Sequence, residues 1–220
     1  MFLKALRFIA PLLLTAGSSS GEEWQTLFNG KDLSGWRANV MPESFSVVDG
    51  TIRAHAPAES AHLFYAGDLK EGFEKFRNFI LEAKVRSEPG SNSGIFIHTD
   101  MRTRDEAHHL AKGYEIQLNS SDKEARKTGS LYAIVDLAKS PVDESQWFDV
   151  RITVVAQRIT IHLNDKLVVD YTEPKDAKRP PERAGRLISP DGGGIALQAH
   201  DPESTFYFKD LRIKRLKRLP

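Results

Sequence analysis

Alternation of apolar and polar residues with a period of two dominates this chain. Residues 44–55, SFSVVDGTIRAH, read as a hairpin whose Asp49-Gly50 pair suits the positive φ angles of a tight turn. In NFILEAKVRS the residues Phe79, Leu81, Ala83 and Val85 fall on one side of a strand. The runs SGIFIHT, GYEIQLN and SLYAIVD follow as further strands separated by loops. Residues 147–173 then predict three strands joined by turns at Ala156-Gln157-Arg158 and Asn164-Asp165-Lys166. Last come GGIALQAHD and STFYFKDLRIKRL, expected to close the sheet as a pair.

Helical periodicity is weak throughout, and no repeat of propeller or solenoid length is visible. About a dozen strands in one chain must hide their edges, in two stacked sheets or in a closed barrel. The expectation is an all-β sandwich of two stacked sheets. Two polar stretches, Arg102 to Lys112 and Pro174 to Pro190, read as loops that overhang one face.

GYEIQLN poses a chemical question. Side chains two apart on a strand share a face, so Tyr114, Ile116 and Leu118 fill a core while Glu115, Gln117 and Asn119 line the opposite surface. That surface is either solvated sheet or a site.

Composition narrows the class. A chain of 220 residues suits one large domain with a substantial core. The first 20 residues, MFLKALRFIAPLLLTAGSSS, carry Lys4 and Arg7, an apolar run and then small residues, the layout of a removable secretory signal. A single domain is therefore expected over residues 22–220, exported to the periplasm or beyond. No segment approaches the roughly 20 apolar residues of a membrane span. There is no cysteine, hence no disulfide and no thiolate metal site. Losing Lys4 and Arg7 takes the formal charge from +1 to −1, which suggests no nucleic-acid partner. The basic KRLKRLP end reads as a solvated terminus.

The ordered motifs LFNGKDLSGW, SVVDGTIR, NFILEAKVR, NSGIFIH, GYEIQL, TGSLY, LND-K-LVVD and GIALQAHD, ending in FKDLRIKRL, resemble the 3-keto-disaccharide hydrolase domain family from about Trp24 to Leu216. The resemblance implies a concanavalin A-like jelly-roll sandwich of two antiparallel sheets with a concave carbohydrate-facing side. It also implies cleavage of glycosides whose sugar is already oxidised to a ketone at carbon 3. His98, Asp165 and Asp201 stand where the family usually carries Arg, Gly and Gly.

A ketone at carbon 3 acidifies the proton on carbon 2. A base can then remove that proton and expel the aglycone from carbon 1, after which water adds back. Such a route needs a base, an electrophile for the enolate and a proton donor for the leaving group. Glu115 and His200 are the expected catalytic pair, with base and acid left open between them. His98, Gln117, Asn119, Tyr132, Gln198 and Asn92 are the expected substrate-binding residues, Tyr132 as a platform for a sugar ring. Asp136 is a further carboxylate on the face of Tyr132. His55, His62 and His162 read as surface or packing residues, and Trp36 and Trp147 as core. A divalent metal ion on Glu115 or His200 would also polarise the ketone, but no close-spaced ligand motif such as HExxH occurs. GYEIQLN offers one acid and two amides, which weighs against the two carboxylates of a standard glycosidase. The partner that the resemblance implies is an oxidised sugar or glycoside. A non-catalytic carbohydrate-binding module, or an interaction domain using the concave sheet, are the alternatives.

Overall fold

The computed structural model describes residues 23–217; the expected signal lies outside the described residues. Thirteen strands run in chain order: β1 (Trp24–Thr26), β2 (Trp36–Ala38), β3 (Phe45–Val48), β4 (Thr51–Ala54), β5 (Ala61–Tyr65), β6 (Phe79–Ser87), β7 (Asn92–Thr99), β8 (Tyr114–Asn119), β9 (Phe148–Val155), β10 (Arg158–Leu163), β11 (Lys166–Thr172), β12 (Gly194–Ala199) and β13 (Phe206–Arg215). They form two antiparallel sheets. The larger has the order β11-β10-β9-β6-β13-β4-β3, with β1 on β13; the smaller has the order β2-β5-β12-β7-β8. Among the described residues, only two single-turn helices, at Pro42–Ser44 and Pro181–Arg183, interrupt the strands.

The core lies between the sheets and is built by the alternation seen in sequence. Phe79, Leu81, Ala83 and Val85 of β6 face Ile95, Ile97, Tyr114, Ile116 and Leu118 of the smaller sheet within one buried cluster. Burial of this apolar surface is the main driving force for stacking the sheets. Tyr114 is wholly buried, and its hydroxyl donates to Glu173 and accepts from Arg179 Nη2 at 2.9 Å.

Three expectations need correcting. The runs GGIALQAHD and STFYFKDLRIKRL do not pair with each other: β12 pairs with β5 and β7, whereas β13 pairs with β4, β6 and β1 in the other sheet. A short turn after His200 carries the chain across the sandwich, because each strand is apolar enough to be central in its own sheet. SLYAIVD is not a strand. Ala133 takes a φ of 59° and residues 131–135 fold into a tight turn. The N–H groups of Gly129 and Tyr132 donate to the carbonyls of Gln117 and Glu115, so the segment covers the open edge of β8. Trp147 is not core; it is 36% exposed, with the Lys209 ammonium 4.1 Å from its ring centroid. Trp36 is buried, as expected.

One irregularity matters for the site. His98 has a φ of 52°, and the β12–β7 register shifts beside it. The neighbouring backbones are pressed together: a Cβ on Gly113 would stand 2.3 Å from the carbonyl oxygen of Ile97, and one on Gly193 would stand 2.3 Å from the carbonyl carbon of His98. Glycine is required at both places. The kink rolls the His98 ring off the face that alternation assigns it.

Candidate active site

The face of the smaller sheet turned away from the core is laid out by strand register. Phe64 of β5, Ala196 of β12, Phe96 of β7 and Glu115 of β8 form one continuous row of paired residues. Two residues along lie the pairs His62–Gln198 and Gly94–Gln117. Another step brings Asn92 of β7, paired with Asn119, and His200 just past the end of β12. Asn92, Glu115, Gln117, Gln198 and His200 thus border a single narrow hollow of about 60 Å³, open on one side to solvent.

Both polar loops fold over it. Leu110 packs on Phe64, Phe96 and Ala196 as an apolar clamp, which brings Arg104 and His109 to the rim. The second loop is tied to the first where the Gly113 N–H donates to the Gly185 carbonyl, and it delivers Arg186 into the wall.

A directed chain of hydrogen bonds holds the imidazole. Gln117 Nε2 donates to Asn92 Oδ1 at 3.0 Å, and Asn92 Nδ2 meets His200 Nε2 at 3.1 Å. His200 Nδ1 meets Asp201 Oδ2 at 2.7 Å, and the Glu203 N–H donates to Asp201 Oδ1 at 2.9 Å. A carboxylate only accepts, so Nδ1 carries the proton and Nε2 accepts from the amide. The neutral tautomer with a free-base Nε2 follows. Burial raises the Asp201 pKa, but the hydrogen bonds from His200 and Ser204 outweigh it and hold the carboxyl below its usual range.

Glu115 sits deeper. Its Oε2 accepts from Arg186 Nη2 at 3.0 Å, with the two side chains only 10% and 8% exposed. Arg186 also donates to the Tyr132 carbonyl at 3.3 Å. Glu124, on the rim, accepts from the Tyr132 hydroxyl at 2.9 Å. Burial pushes its carboxyl upward, yet hydrogen bonds from the Arg126 N–H and Tyr132 leave it lowered.

The structure separates the sequence candidates. Glu115, His200, Gln117, Gln198 and Asn92 come together. His98 does not: its ring stacks on Phe79 at 6.0 Å, Nε2 donates to the Arg77 carbonyl at 3.0 Å and Nδ1 accepts from the Ser189 N–H at 3.2 Å. Burial lowers it to about 4. Asn119 shares the face but is spent on the turn that follows, donating to the carbonyls of Glu124 and Arg126 and accepting from Ser121. Tyr132 reaches the rim, but the guanidiniums of Arg126, Arg186 and Arg183 lie 4.7, 4.9 and 5.5 Å from its ring centroid, in the space a sugar would need. Asp136 pairs with Arg126 outside the hollow. Arg186, Arg104 and Glu124 belong to the site and escaped sequence reasoning, since single charged residues in irregular loops carry no periodic signal.

Two acceptors, Gln117 Oε1 and Gln198 Oε1, are buried without a hydrogen-bond partner among the described residues, as are both ring nitrogens of His62. Such groups cost stability unless a ligand or water satisfies them. His62 lies under the floor, edge-on to Phe96 at 4.9 Å. Among the described residues, no group of three His, Asp or Glu side chains is arranged to hold a metal ion. Glu115 is committed to Arg186 and no third ligand joins it and His200, so this donor set does not fit a divalent ion and no step is derived through one.

The two-sheet antiparallel architecture is that of the concanavalin A-like, galectin-like sandwiches. A Bacillus subtilis protein with a galectin-like fold is 12% identical, with a TM-score of 0.58 over 90% of this chain and 96% of that one. The chain belongs to the family described as the 3-keto-alpha-glucoside-1,2-lyase-like domain, whose model matches residues 23–214. A 3-keto-disaccharide hydrolase from Bacteroides thetaiotaomicron is 26% identical over 167 residues, which cover 66% of this chain and 57% of that relative's length. A Parabacteroides distasonis protein provisionally assigned as a glycosyl hydrolase has the same fold, with a TM-score of 0.73 and 22% identity over 94% of this chain and 99% of that one.

Two outcomes are expected in solution. Arg186→Met strands the Glu115 carboxylate and lowers unfolding free energy by about 3–5 kcal/mol, whereas the double variant with Glu115→Gln regains most of it, as urea titration will show; a double variant no more stable than the single one contradicts the buried pair. Burial, with help from His109, His200 and His108, holds His62 at about 3, while the unfolded chain protonates at the ordinary 6.5. Below 6.5 the unfolded state takes up a proton that the fold excludes, so this contribution to stability is whole above 6.5 and is lost as pH falls toward 3. Between pH 7 and 5 the wild type should lose about 2 kcal/mol more than His62→Leu, and equal losses would contradict the assignment.

Proposed function

We propose that the chain cleaves glycosides already oxidised at carbon 3, by elimination across carbons 1 and 2 followed by hydration. The observation that carries this is the Asp201–His200–Asn92 chain, which presents a neutral imidazole with an unprotonated Nε2 at the edge of a polar hollow.

The substrate displaces the Asn92 amide from Nε2, and His200 takes the proton from carbon 2. The electron pair moves into the carbon 2–carbon 3 bond, and charge builds on the ketone oxygen. Arg186, held by Glu115, is the donor placed to stabilise that oxygen. Asp201 stabilises the imidazolium that forms. As the ketone re-forms, the carbon 1–oxygen bond breaks, and the imidazolium protonates the departing oxygen. Water then adds its oxygen to carbon 1 and a proton to carbon 2, giving net hydrolysis. Glu115 thereby becomes a positioning residue, and His200 serves as base and then acid.

The family described by a 1,2-lyase-like domain supports this order of bond breaking, and the single free base supports it independently. The signal-like residues 1–20 support action after export. The second reading is a binding-only module, favoured by the orphaned acceptors of Gln117 and Gln198, which suit sugar hydroxyls without any chemistry.

Turnover separates the two. His200→Ala is expected to lower kcat/KM on a 3-keto-glucoside by about 10²–10⁴-fold with little change in thermal stability. Wild-type protein that binds the 3-keto sugar but never releases aglycone would leave the binding module standing.

A further inference from the structure

The wall of the hollow holds one base, His200, but a second imidazole stands on its rim. His109 lies next to Leu110, whose packing on Phe64, Phe96 and Ala196 anchors it above the row that ends in Glu115. His200 lies two rows further along the sheet, past the end of β12. The two rings thus approach the hollow from different ends.

A carboxylate orients His109 as another orients His200. Its Nδ1 meets Asp105 Oδ2 at 2.9 Å and Oδ1 at 3.0 Å, and the His109 N–H donates to Oδ1 at 3.0 Å. Arg104 Nε donates to Asp105 Oδ2 at 3.1 Å, while its Nη1 donates to the Glu182 carbonyl at 2.9 Å and so ties this carboxylate to the second loop. A carboxylate only accepts, so Nδ1 carries the proton and Nε2 is the basic nitrogen. Here the two imidazoles differ. His200 Nε2 accepts from the Asn92 amide, whereas His109 Nε2 has no hydrogen-bond partner among the described residues. The His109 side chain is 38% exposed, so water reaches it. The carboxylates on the border are already engaged: Glu115 with Arg186, and Glu124 with the Arg126 N–H and the Tyr132 hydroxyl.

Elimination leaves His200 neutral, its proton gone with the departing oxygen, and a carbon 1–carbon 2 double bond conjugated with the ketone. Resting on the reading under Proposed function, we propose that His109, positioned by Asp105, is the catalytic residue of the second half-reaction, the addition of water to this unsaturated ketone. Its Nε2 takes a proton from water as the water oxygen bonds to carbon 1. The double-bond electron pair passes to carbon 2, with charge shared by the ketone oxygen beside Arg186, and the His109 imidazolium then protonates carbon 2. The two hydrogens of the water end on the carbon 1 hydroxyl and on carbon 2, with no co-reactant. His200 opens the cycle and His109 closes it.

Two assays on the full chain test this. One follows release of aglycone from a 3-keto-glucoside; the other supplies the 1,2-unsaturated 3-keto sugar directly and follows loss of its conjugated-ketone absorbance. His109→Gln is expected to slow hydration by about 10²–10⁴-fold and release far less, so that the unsaturated ketone accumulates during turnover of the glucoside. Asp105→Asn keeps an oxygen for the His109 N–H but loses the charge, and should give the same split to a smaller degree. A thermal melt verifies that both variants fold, and a merely structural role in the loop would slow both steps alike. A wild type that hydrates the unsaturated ketone no faster than buffer, or a folded His109→Gln that matches the wild type or loses both steps equally, overturns the role of His109. Aglycone release by the wild type decides the elimination separately: its absence removes that reading without altering the hydration result.

Discussion

The hydrogen-bonded register of β5, β12, β7 and β8 is the constraint on which everything else depends. It sets Phe64, Ala196, Phe96 and Glu115 in one row and Gln198 and Gln117 in the next. Because side chains alternate, a slip of one residue in any of these strands would send its polar set into the core and its apolar set into the hollow. The core guards against that slip. Tyr114, Ile116 and Leu118 are wholly buried between the sheets, so the facing side of β8 has no freedom to move. The precision of the site is thus inherited from apolar packing behind it.

Polar groups on that face are buried by loops, and Glu115 and His200 each have partners. Glu115 is paired with Arg186, and removing water from both is sustained by their direct contact and by the Tyr132 carbonyl. His200 is oriented from both ends, which fixes its tautomer before any ligand arrives. Gln117 is half satisfied, through Nε2 alone. Gln117 Oε1 and Gln198 Oε1 stay unmet among the described residues.

Much of this was legible in the chain. Alternation located β6, β7, β8, β9, β10 and β11 with the faces they show, and GYEIQLN announced a core side and a polar side. It also put Glu115 with Gln117 on one strand face and Gln198 with His200 on another, while their convergence rests on the strand order β12-β7-β8. Alternation could not see the kink at His98, since the cause is close backbone contact with Gly113 and Gly193 from distant segments. Nor could it show that β12 and β13 belong to different sheets, because two apolar strands in succession look alike whether they pair or part. The short strands β1, β2 and β5 carry too few residues for a period to register. Asp201 stood in the sequence as a departure from the family's usual glycine; its partnership with His200 appears only when the turn after β12 is folded.

The most direct test of the proposed elimination is the fate of the proton on carbon 2. Hydrolysis of a 3-keto-disaccharide in D₂O, followed by NMR at early times against an enzyme-free control, should give a released 3-keto sugar with deuterium at carbon 2, one per turnover. A product that keeps its original proton there would contradict the mechanism and point to direct displacement at carbon 1.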